Sequence, residues 1–519
     1  MRRRRHPFRA LCLATVASAV LAGCAPILAA NPRFATDSGA GPQGQPETTQ
    51  AQAGPPPIEA PKNELAWQDC TGRVFRDAQV AAPPGVTLDC ADYDADLDSI
   101  NGASGSVTIG VVRAKSVATP ADAGPLVMTT GTDLPSSVQL PMWLARNGTD
   151  VLRTNSIIAV DRRGTGTSGE LDCRDLFDRQ EMIDQAQFEA GNDPVANLGA
   201  IVQTATTACT DTIAPGDSAY DNAHAAEDIE RLRSTLDVPT LALLGIGNGA
   251  QIALTYAGTH ANKVSRLVLD SPLPLGIGAE AAAEQRIKGQ QAALDAVAAQ
   301  CIATGCALGP DPRGAVDALV TAAREGRGPG GVSESSLVDA ITTALAFDQT
   351  GSRGTLATAL AAARDGNTAD LTTLINQAET LRHTDGQFVN SCSDALSRPT
   401  PDRVRELVVG WGRLYPQFGR VGALDLVDCL NWPSSTPPKE PQNLRTPVLL
   451  LGVQNDPIVG NEGVAAVAAT VINGGAANRR VIWQGIGHGA ATSSPCALGP
   501  VLAYLQSGAL PSTDTYCPA

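Results

Sequence analysis

Positive charge is scarce in this sequence of 519 residues. Lysine and arginine total 38 against 53 aspartates and glutamates, and the formal net charge is −15 at pH 7. A protein that binds nucleic acid needs a basic surface to neutralise phosphates, so this charge argues against a nucleic-acid partner. Hydrophobic residues make up 43% and charged residues 18%, which predicts a chain that buries a substantial core.

Two ligand-binding patterns are also absent. No C-x-x-C pair occurs, and the histidines do not cluster with the cysteines, which argues against a zinc site. The glycine-rich segment 245–249 lacks the third-glycine spacing of G-x-G-x-x-G, and no acidic residue follows it in the right setting, which argues against a dinucleotide site. We therefore expect neither a metal nor a cofactor.

The apolar stretch Leu11–Ala22 is too short to span a bilayer. It follows arginines at positions 2–5, so we predict a signal peptide over residues 1–23. The tetrad Leu21-Ala22-Gly23-Cys24 resembles a bacterial lipobox, which predicts a diacylglycerol on the Cys24 thiol. The alternative is a secreted protein with a chance cysteine. We expect a lipoprotein on the outer face of the plasma membrane, with partial secretion as the alternative, and with the membrane as its partner through that lipid.

The rest of the chain divides into four segments that differ in residue pattern. Residues 24–62 are dominated by Pro, Gly, Gln, Ala and Thr, which predicts a disordered tether after the lipidated cysteine. Residues 63–275 alternate strand and helix patterns, and the pattern returns at 441–519. Residues 276–440 carry alanine-rich amphipathic stretches separated by Gly and Pro, which predicts an inserted helical cap.

Repeated β-α-β units favour the α/β class, with a mostly parallel sheet covered by helices on both faces. The strands are predicted at 107–112, 125–128, 156–160, 240–245, 265–270, 447–452 and 480–483. The core helices are predicted at 221–236, 250–258 and 463–471, and the cap helices at 279–300, 313–324, 335–346, 355–364 and 368–382.

The cysteines support export independently. Cys12 lies in the signal peptide and Cys24 is the predicted lipid acceptor, which leaves an even number in an exported chain and suggests disulfides. The disulfide candidates are Cys70, Cys90, Cys173, Cys209, Cys301, Cys306, Cys392, Cys429, Cys496 and Cys517. Sequence alone does not fix their connectivity. The simplest scheme joins sequential pairs, 70–90, 173–209, 301–306, 392–429 and 496–517.

Three positions that follow predicted strands draw attention, because ligands bind beyond the carboxyl ends of strands in open α/β sheets. Asp456 follows strand 447–452, and His488 follows strand 480–483. Gly247 lies between a strand and its helix, in the middle of a G-x-G-x-G turn. In an α/β-hydrolase these positions would be acid, base and nucleophile, with G-x-S-x-G as the sharp turn. Gly247 has no side chain to attack with.

Several motifs together resemble the secreted tripeptidyl-aminopeptidase-like α/β-hydrolases, relatives of the proline iminopeptidases, over most of residues 65–519. These motifs are Asp161-Arg-Arg-Gly-Thr-Gly-Thr-Ser168 with Cys173, the 221–249 helix-strand-turn unit, Cys429-Leu-Asn-Trp-Pro433, Thr446-Pro447 leading to Asp456-Pro457, and Gly487-His488-Gly489 with Cys496 and Cys517. The resemblance implies an α/β-hydrolase fold and cleavage of short N-terminal peptides or esters by a Ser-Asp-His triad. Carried over, Asp456 is the acid and His488 the base.

Two departures from this family put catalysis in doubt. The family serine falls on Gly247. The family also carries a Gly-Gly-Pro-Gly loop that helps to form the oxyanion hole, and the matching segment here is 129–133. We place the oxyanion region at Thr130, Gly131 and Asn248. If Asp133 points inward, its carboxylate opposes the charge that an oxyanion hole stabilises.

Four hypotheses follow, and whether the chain is an enzyme stays open. The first is a non-catalytic cell-envelope protein that binds a peptide, lipid or protein in the cleft under the cap. The second is an active serine peptidase or esterase with a displaced nucleophile, such as Ser136 or Ser137. The third is a hydrolase in which Asp456 and His488 activate water, and the fourth is a purely structural lipoprotein. We also expect Gly247→Ser to recover slight esterase activity.

Overall fold

The computed structural model describes residues 55–347, 352–433 and 436–519. The predicted signal peptide, Cys24 and most of the predicted tether lie outside these residues. Within the described part of the chain, no helix combines the length and the apolar character that a membrane span requires.

One twisted sheet forms the centre of the molecule. Its strands are β1 Gln68–Asp69, β2 Val86–Asp96, β3 Ser106–Ser116, β4 Leu126–Thr129, β5 Ile157–Val160, β6 Leu241–Ile246, β7 Val264–Asp270, β8 Val448–Asn455, β9 Asn478–Ile486 and β10 Thr515–Cys517. Their order across the sheet is β1-β2-β3-β5-β4-β6-β7-β8-β9-β10. Strands β1, β2, β3 and β5 pair antiparallel, and every pairing from β5 to β10 is parallel. The mostly parallel α/β sheet predicted from the sequence is confirmed.

The sequence predicts the central parallel strands most clearly. Strands β4, β5 and β6 and the first six residues of β8 are buried throughout and are almost entirely apolar, whereas β9 alternates between buried and more exposed residues. The seven predicted strands all occur. Strand β2 was not predicted, because the outward side chains of this antiparallel strand are aspartates that interrupt the apolar pattern.

Helices cover both faces of the sheet. Those of the core are α1 Thr71–Asp77, α2 Ser136–Arg146, α5 Asn222–Thr235, α6 Asn248–Thr259, α15 Gly463–Asn473, α16 Ala490–Ser493 and α17 Pro495–Ser507. Helix α5 begins at Asp221, whose carboxylate accepts hydrogen bonds from the backbone N–H groups of Ala223 and His224. Helix α6 is buried along ten of its twelve residues, since it packs directly behind strands β6 and β7.

A second layer of helices forms the cap. They are α3 Leu176–Ile183, α4 Pro194–Ile213, α7 Ala279–Thr304, α8 Pro312–Arg324, α9 Glu334–Ala346, α10 Ser352–Arg364, α11 Ala369–Arg382, α12 Asp385–Asp394, α13 Pro401–Leu414 and α14 Gly419–Leu424. The five predicted cap helices match α7 to α11. Their buried side chains form a hydrophobic cluster separate from those on the two faces of the sheet.

The cap is built from two stretches of chain rather than one. Helices α3 and α4 lie within residues 63–275, which we assigned to the core, yet Val195, Leu198 and Val202 belong to the cap cluster. Their apolar spacing predicts a helix but does not say which layer that helix covers.

All ten predicted disulfide cysteines are paired, in the sequential scheme. The bridges are Cys70–Cys90, Cys173–Cys209, Cys301–Cys306, Cys392–Cys429 and Cys496–Cys517. The pair at 173–209 lies within the α3–α4 stretch of the cap. The last pair ties helix α17 to strand β10 at the edge of the sheet.

Candidate active site

The turn between β6 and α6 has the shape of a nucleophile elbow without a nucleophile. Gly247 has φ 57° and ψ −121°, a conformation that glycine adopts without the steric cost paid by other residues. Its N–H donates to the carbonyl of Asp270 at 2.9 Å. A Cβ atom built at this position would press against Asp133 Oδ2 and lie 2.6 Å from His488 Nε2. The 247 position therefore faces the imidazole, but it offers only backbone.

The structure brings the other two predicted site residues together. Asp456 follows β8, and His488 follows β9, so both come from the carboxyl ends of adjacent parallel strands. His488 Nδ1 lies 3.0 Å from Asp456 Oδ2 and 3.1 Å from Oδ1. Asp456 Oδ1 also accepts from the N–H groups of Ile458 and Val459. Both side chains of the pair are fully buried, so this dyad is fixed in place and shielded from solvent.

A buried carboxylate that the sequence did not single out as a site residue anchors the histidine loop. Asp270, at the end of β7, accepts hydrogen bonds from the N–H groups of Ala490 and Ala491, each at 2.8 Å. Burial is the main cause that raises the pKa of Asp270 to about 6. The ring of Phe347 meets the imidazole of His488 edge-on, with centroids 5.8 Å apart. These contacts leave the imidazole little freedom to move.

Asp133 occupies the space that a nucleophile would need. Its Oδ2 accepts a hydrogen bond of 2.7 Å from the N–H of Asn248, the first residue of helix α6. The same oxygen lies 3.4 Å from His488 Nε2, close enough for an ion pair but without hydrogen-bond alignment. A helix N-terminus favours an anion, and here the chain supplies that anion itself. The carboxylate of Asp133 thus points inward, which is the orientation that opposes an oxyanion hole.

The oxyanion region predicted from the sequence is only partly present. The N–H of Asn248 is in place, but Asp133 occupies it. The N–H of Thr130 donates to Ser136 Oγ at 3.1 Å, so the placement of Thr130 in an oxyanion hole is wrong. Gly131, at φ 63°, is needed for close approach, because a Cβ there would lie 2.7 Å from the Gly249 nitrogen. The elbow donor of the predicted oxyanion region, the N–H of Asn248, is therefore engaged.

Two carboxylates hold His488 in its charged form. Burial by itself lowers the pKa of His488, but the charges and hydrogen-bonding groups of Asp456 and Asp133 outweigh it and raise the pKa to about 10. At neutral pH His488 is thus an imidazolium, placed between the side chains of Asp456 and Asp133. An imidazolium cannot accept a proton, so it is not a general base in this state.

The hypothesis of a displaced serine nucleophile does not fit the structure. Ser136 Oγ accepts from Thr130 N and lies 3.0 Å from Thr130 Oγ1, at the start of α2. The N–H of Ser137 donates to Asp161 Oδ1 at 2.8 Å. Neither serine is a hydrogen-bond partner of His488, whose Nε2 has none within the described chain.

The 161–168 loop holds the elbow rather than a ligand. Asp161 accepts from the N–H groups of Ser137 and Thr167. Arg162 Nη1 lies 2.8 Å from Asn248 Oδ1 and 2.7 Å from Asp394 Oδ2, so it joins the elbow to cap helix α12. The sequence carries no signal for the link between this loop and Asn248.

A cavity of about 1080 Å³ opens between the sheet and the cap. Asp133 and Asn248 line it, whereas the dyad of Asp456 and His488 does not. The side chain of Asp133 is 13% exposed, and that of His488 is 0% exposed. The carboxylate of Asp133 therefore separates the imidazole of His488 from the cavity.

The described residues offer no convincing metal site. One group has ligand spacing, Cys173, Cys209 and Asp385. Its sulfurs form a disulfide, and the carboxylate is held by Arg174 at 2.8 Å. Thiolates are required for metal binding at cysteine, so this group does not fit a metal.

Comparison with known proteins assigns the fold. A family model described as "alpha/beta hydrolase fold" matches residues 150–311, which run from before β5 to beyond α7 and include the elbow. The α/β-hydrolase fold predicted from the sequence is therefore confirmed. A second model, described as "TAP-like protein", matches residues 415–517, which carry Asp456 and His488. This C-terminal part of the chain is thus similar to the TAP-like proteins that its motifs resemble.

Solved structures similar to this chain are distant. A membrane phospholipase A, described as a novel bacterial virulence factor, is 13% identical over 81% of this chain and 86% of its own, with a TM-score of 0.34. A probable hydrolytic enzyme from Pseudomonas aeruginosa is 12% identical over 82% and 94%, with a TM-score of 0.36. An esterase from a Rhodococcus species is 17% identical over 80% and 99%, also at 0.36. No curated protein matches the sequence.

Proposed function

We propose that this chain is a lipid-anchored protein of the cell envelope that binds a ligand in the cavity under its cap and lacks serine-triad catalysis. The observation that carries the proposal is the carboxylate of Asp133, which lies between His488 and the N–H of Asn248. That carboxylate fills the position of the attacking and developing oxygens of a hydrolase.

Each element of triad chemistry is blocked in turn. Position 247 has no hydroxyl, so no acyl-enzyme forms there. The elbow N–H is engaged, and a fixed negative charge stands where negative charge would develop in the transition state, which destabilises that state. The protonated His488 accepts no proton from a nucleophile.

Binding remains supported by the shape of the molecule. Ligand pockets are typically about 300–1,000 Å³ and mostly apolar with a few polar groups. The cavity reaches the upper end of that range, and its lining includes Leu273, Leu275, Phe388 and Trp432. A peptide, a lipid or a segment of a partner protein fits this combination.

The preserved dyad favours a second candidate function, hydrolysis by water that Asp456 and His488 activate. Such general-base catalysis contributes about 10²–10⁴-fold. It requires Asp133 to leave the site and His488 to lose its proton, so it becomes accessible only at alkaline pH.

A fluorophosphonate probe will not label the purified domain, because within the described residues no hydroxyl is hydrogen-bonded to His488 Nε2. The measurement is mass spectrometry of the intact domain from about residue 55 after incubation with probe, next to a panel of aminoacyl and ester substrates. The Gly247→Ser/Asp133→Ala variant serves as the positive control. Stoichiometric labelling, or turnover that His488→Ala abolishes, would falsify the non-catalytic proposal.

Membrane anchoring has a separate test at Cys24. In a bacterial host that processes lipoproteins, we expect the full chain in the membrane fraction and Cys24→Ser in the soluble fraction or as unprocessed precursor. Intact-mass analysis of the mature wild-type chain should give the mass of a diacylglycerol added at its N-terminal cysteine. Equal partitioning of both chains would reject lipidation and favour simple secretion.

A further inference from the structure

A half-buried cation on the wall of the cavity has one buried nitrogen without a hydrogen-bond acceptor among the described residues. Arg382 is the last residue of helix α11 and lines the cavity between the sheet and the cap. Its Nη1 atom is buried, and no hydrogen-bond acceptor reaches it within the described residues. Burial is the main cause that lowers the pKa of Arg382. Buried guanidinium groups are normally paired, since an unpaired one loses its hydration without compensation.

The carboxylates near Arg382 are already engaged elsewhere. Asp339 lies 2.9 Å from His383 Nε2. Asp425 accepts from Gln185 Nε2 at 2.7 Å, and Arg286 Nη1 is 3.3 Å away from it. Asp133 is held by the elbow N–H. These three carboxylates act on the charge of Arg382 across space, but none is aligned to accept from its Nη1.

The surroundings of Arg382 select the kind of anion that fits. A planar guanidinium matches a carboxylate in a two-pronged arrangement. The three nearby carboxylates repel a doubly charged phosphate more strongly than a singly charged carboxylate. Asp428, another charged residue of the lining, has its pKa raised by burial to about 8, so at neutral pH it adds little negative charge.

The rest of the lining determines the body of the ligand. The rings of Phe388 and Trp432 meet edge-on with centroids 5.5 Å apart, and both line the cavity with Leu273 and Leu275. Aromatic and aliphatic surface of this kind stabilises an apolar ligand by removing it from water. The charge and the apolar surface belong to one continuous space.

We propose that Arg382 is the carboxylate-binding residue of this cavity and that the ligand is an apolar molecule carrying one free carboxylate, either the C-terminal end of a short peptide or a fatty acid. The proposal rests on the proposed function of ligand binding, and it names the class of ligand. It places the carboxylate on the cap side of the cavity, apart from the Asn248 N–H that Asp133 occupies.

The test compares matched acid and neutral ligands by calorimetric titration at pH 7. The peptide arm uses N-acetyl-Leu-Phe and its C-terminal amide, and the lipid arm uses decanoate and decanol. In at least one arm we expect the acid to bind the wild-type domain about tenfold or more tightly than its neutral counterpart. The arm that shows this preference identifies the source of the carboxylate.

Variants then assign the preference to the arginine. Arg382→Gln should remove the tenfold preference and leave binding of the neutral ligand unchanged, which also reports that the variant is folded. Arg382→Lys keeps the charge without the planar fork and should retain part of the preference. The matched control is Lys439→Gln, which removes an exposed charge from the lining of the same cavity and should leave the preference intact.

The outcomes separate this proposal from the one on which it rests. Binding of neutral and acidic ligands with equal affinity, or an acid preference that survives Arg382→Gln, overturns the role of Arg382 and leaves a binding protein. Absence of binding by all four ligands also counts against the carboxylate site. Hydrolysis or probe labelling instead overturns the proposed function itself.

Discussion

Gly247→Ser alone will leave esterase activity at the background level, whereas Gly247→Ser combined with Asp133→Ala will raise kcat/KM for a p-nitrophenyl ester by about 10²–10³-fold over that level. The sequence alone led us to expect slight recovery from the serine by itself. The structure changes that expectation, because the obstacle lies at position 133 as much as at position 247.

Three effects of Asp133 act against a serine introduced at 247. The new Cβ would meet Asp133 Oδ2 directly and lie 2.6 Å from His488 Nε2, so the imidazole has to move. The N–H of Asn248 stays engaged by the carboxylate, and losing one oxyanion donor typically costs about 10²–10³ in kcat. The carboxylate also keeps His488 protonated. Asp133→Ala removes the contact with Oδ2, frees the N–H of Asn248 and takes away one of the two carboxylates that raise the pKa of His488.

The control variants complete a double-mutant cycle for positions 133 and 247. Asp133→Ala alone should remain inactive because it has no nucleophile, so the two substitutions should be strongly non-additive. His488→Ala added to the double variant should return it to background. If Gly247→Ser alone is as active as the double variant, Asp133 does not block the site. Its position between His488 and the N–H of Asn248 then no longer supports the proposed function.

Much of this site was visible in the sequence because it lies at predictable places in the fold. Strands buried on both faces are continuous apolar runs, and the residues that follow them meet at one edge of a parallel sheet. Gly247 and Asp456 follow such runs, in β6 and β8, and His488 follows β9, in which burial alternates. Their proximity therefore follows from topology, before any side-chain contact is known.

The contacts that decide function depend instead on distant parts of the chain. Asp133 and Asn248 are 115 residues apart, and whether the carboxylate turns inward depends on how two loops meet. Arg382 ends an ordinary amphipathic helix, and its position in the cavity depends on how the cap packs on the core. The residue pattern along the chain predicts neither the orientation of Asp133 nor the position of Arg382 in the cavity. The same limit explains why α3 and α4 were assigned to the wrong layer.

The charged row of Asp456, His488 and Asp133 predicts that stability falls as pH rises above neutrality. His488 has a folded-state pKa of about 10, well above the unfolded value of about 6.5. Its stabilising contribution is therefore fully present below about pH 6.5 and is lost as pH rises through about 10. The gap corresponds to at most about 5 kcal/mol in the free energy of unfolding.

Asp133→Asn isolates this contribution, because it keeps the shape of the side chain and removes one of the two charges that hold the proton. We expect the free energy of unfolding, measured by urea titration with disulfides intact at pH 7, 8, 9 and 10, to fall less steeply in Asp133→Asn than in the wild-type domain.

Asp428→Asn is the matched control. Burial raises the pKa of Asp428 to about 8, so that carboxyl costs stability only as pH rises toward 8. Its removal should flatten the profile below pH 8 and leave the fall between pH 8 and 10 intact. Parallel profiles for the wild-type and Asp133→Asn domains would mean that Asp133 does not hold the proton on His488, and the block on general-base catalysis would then lie elsewhere.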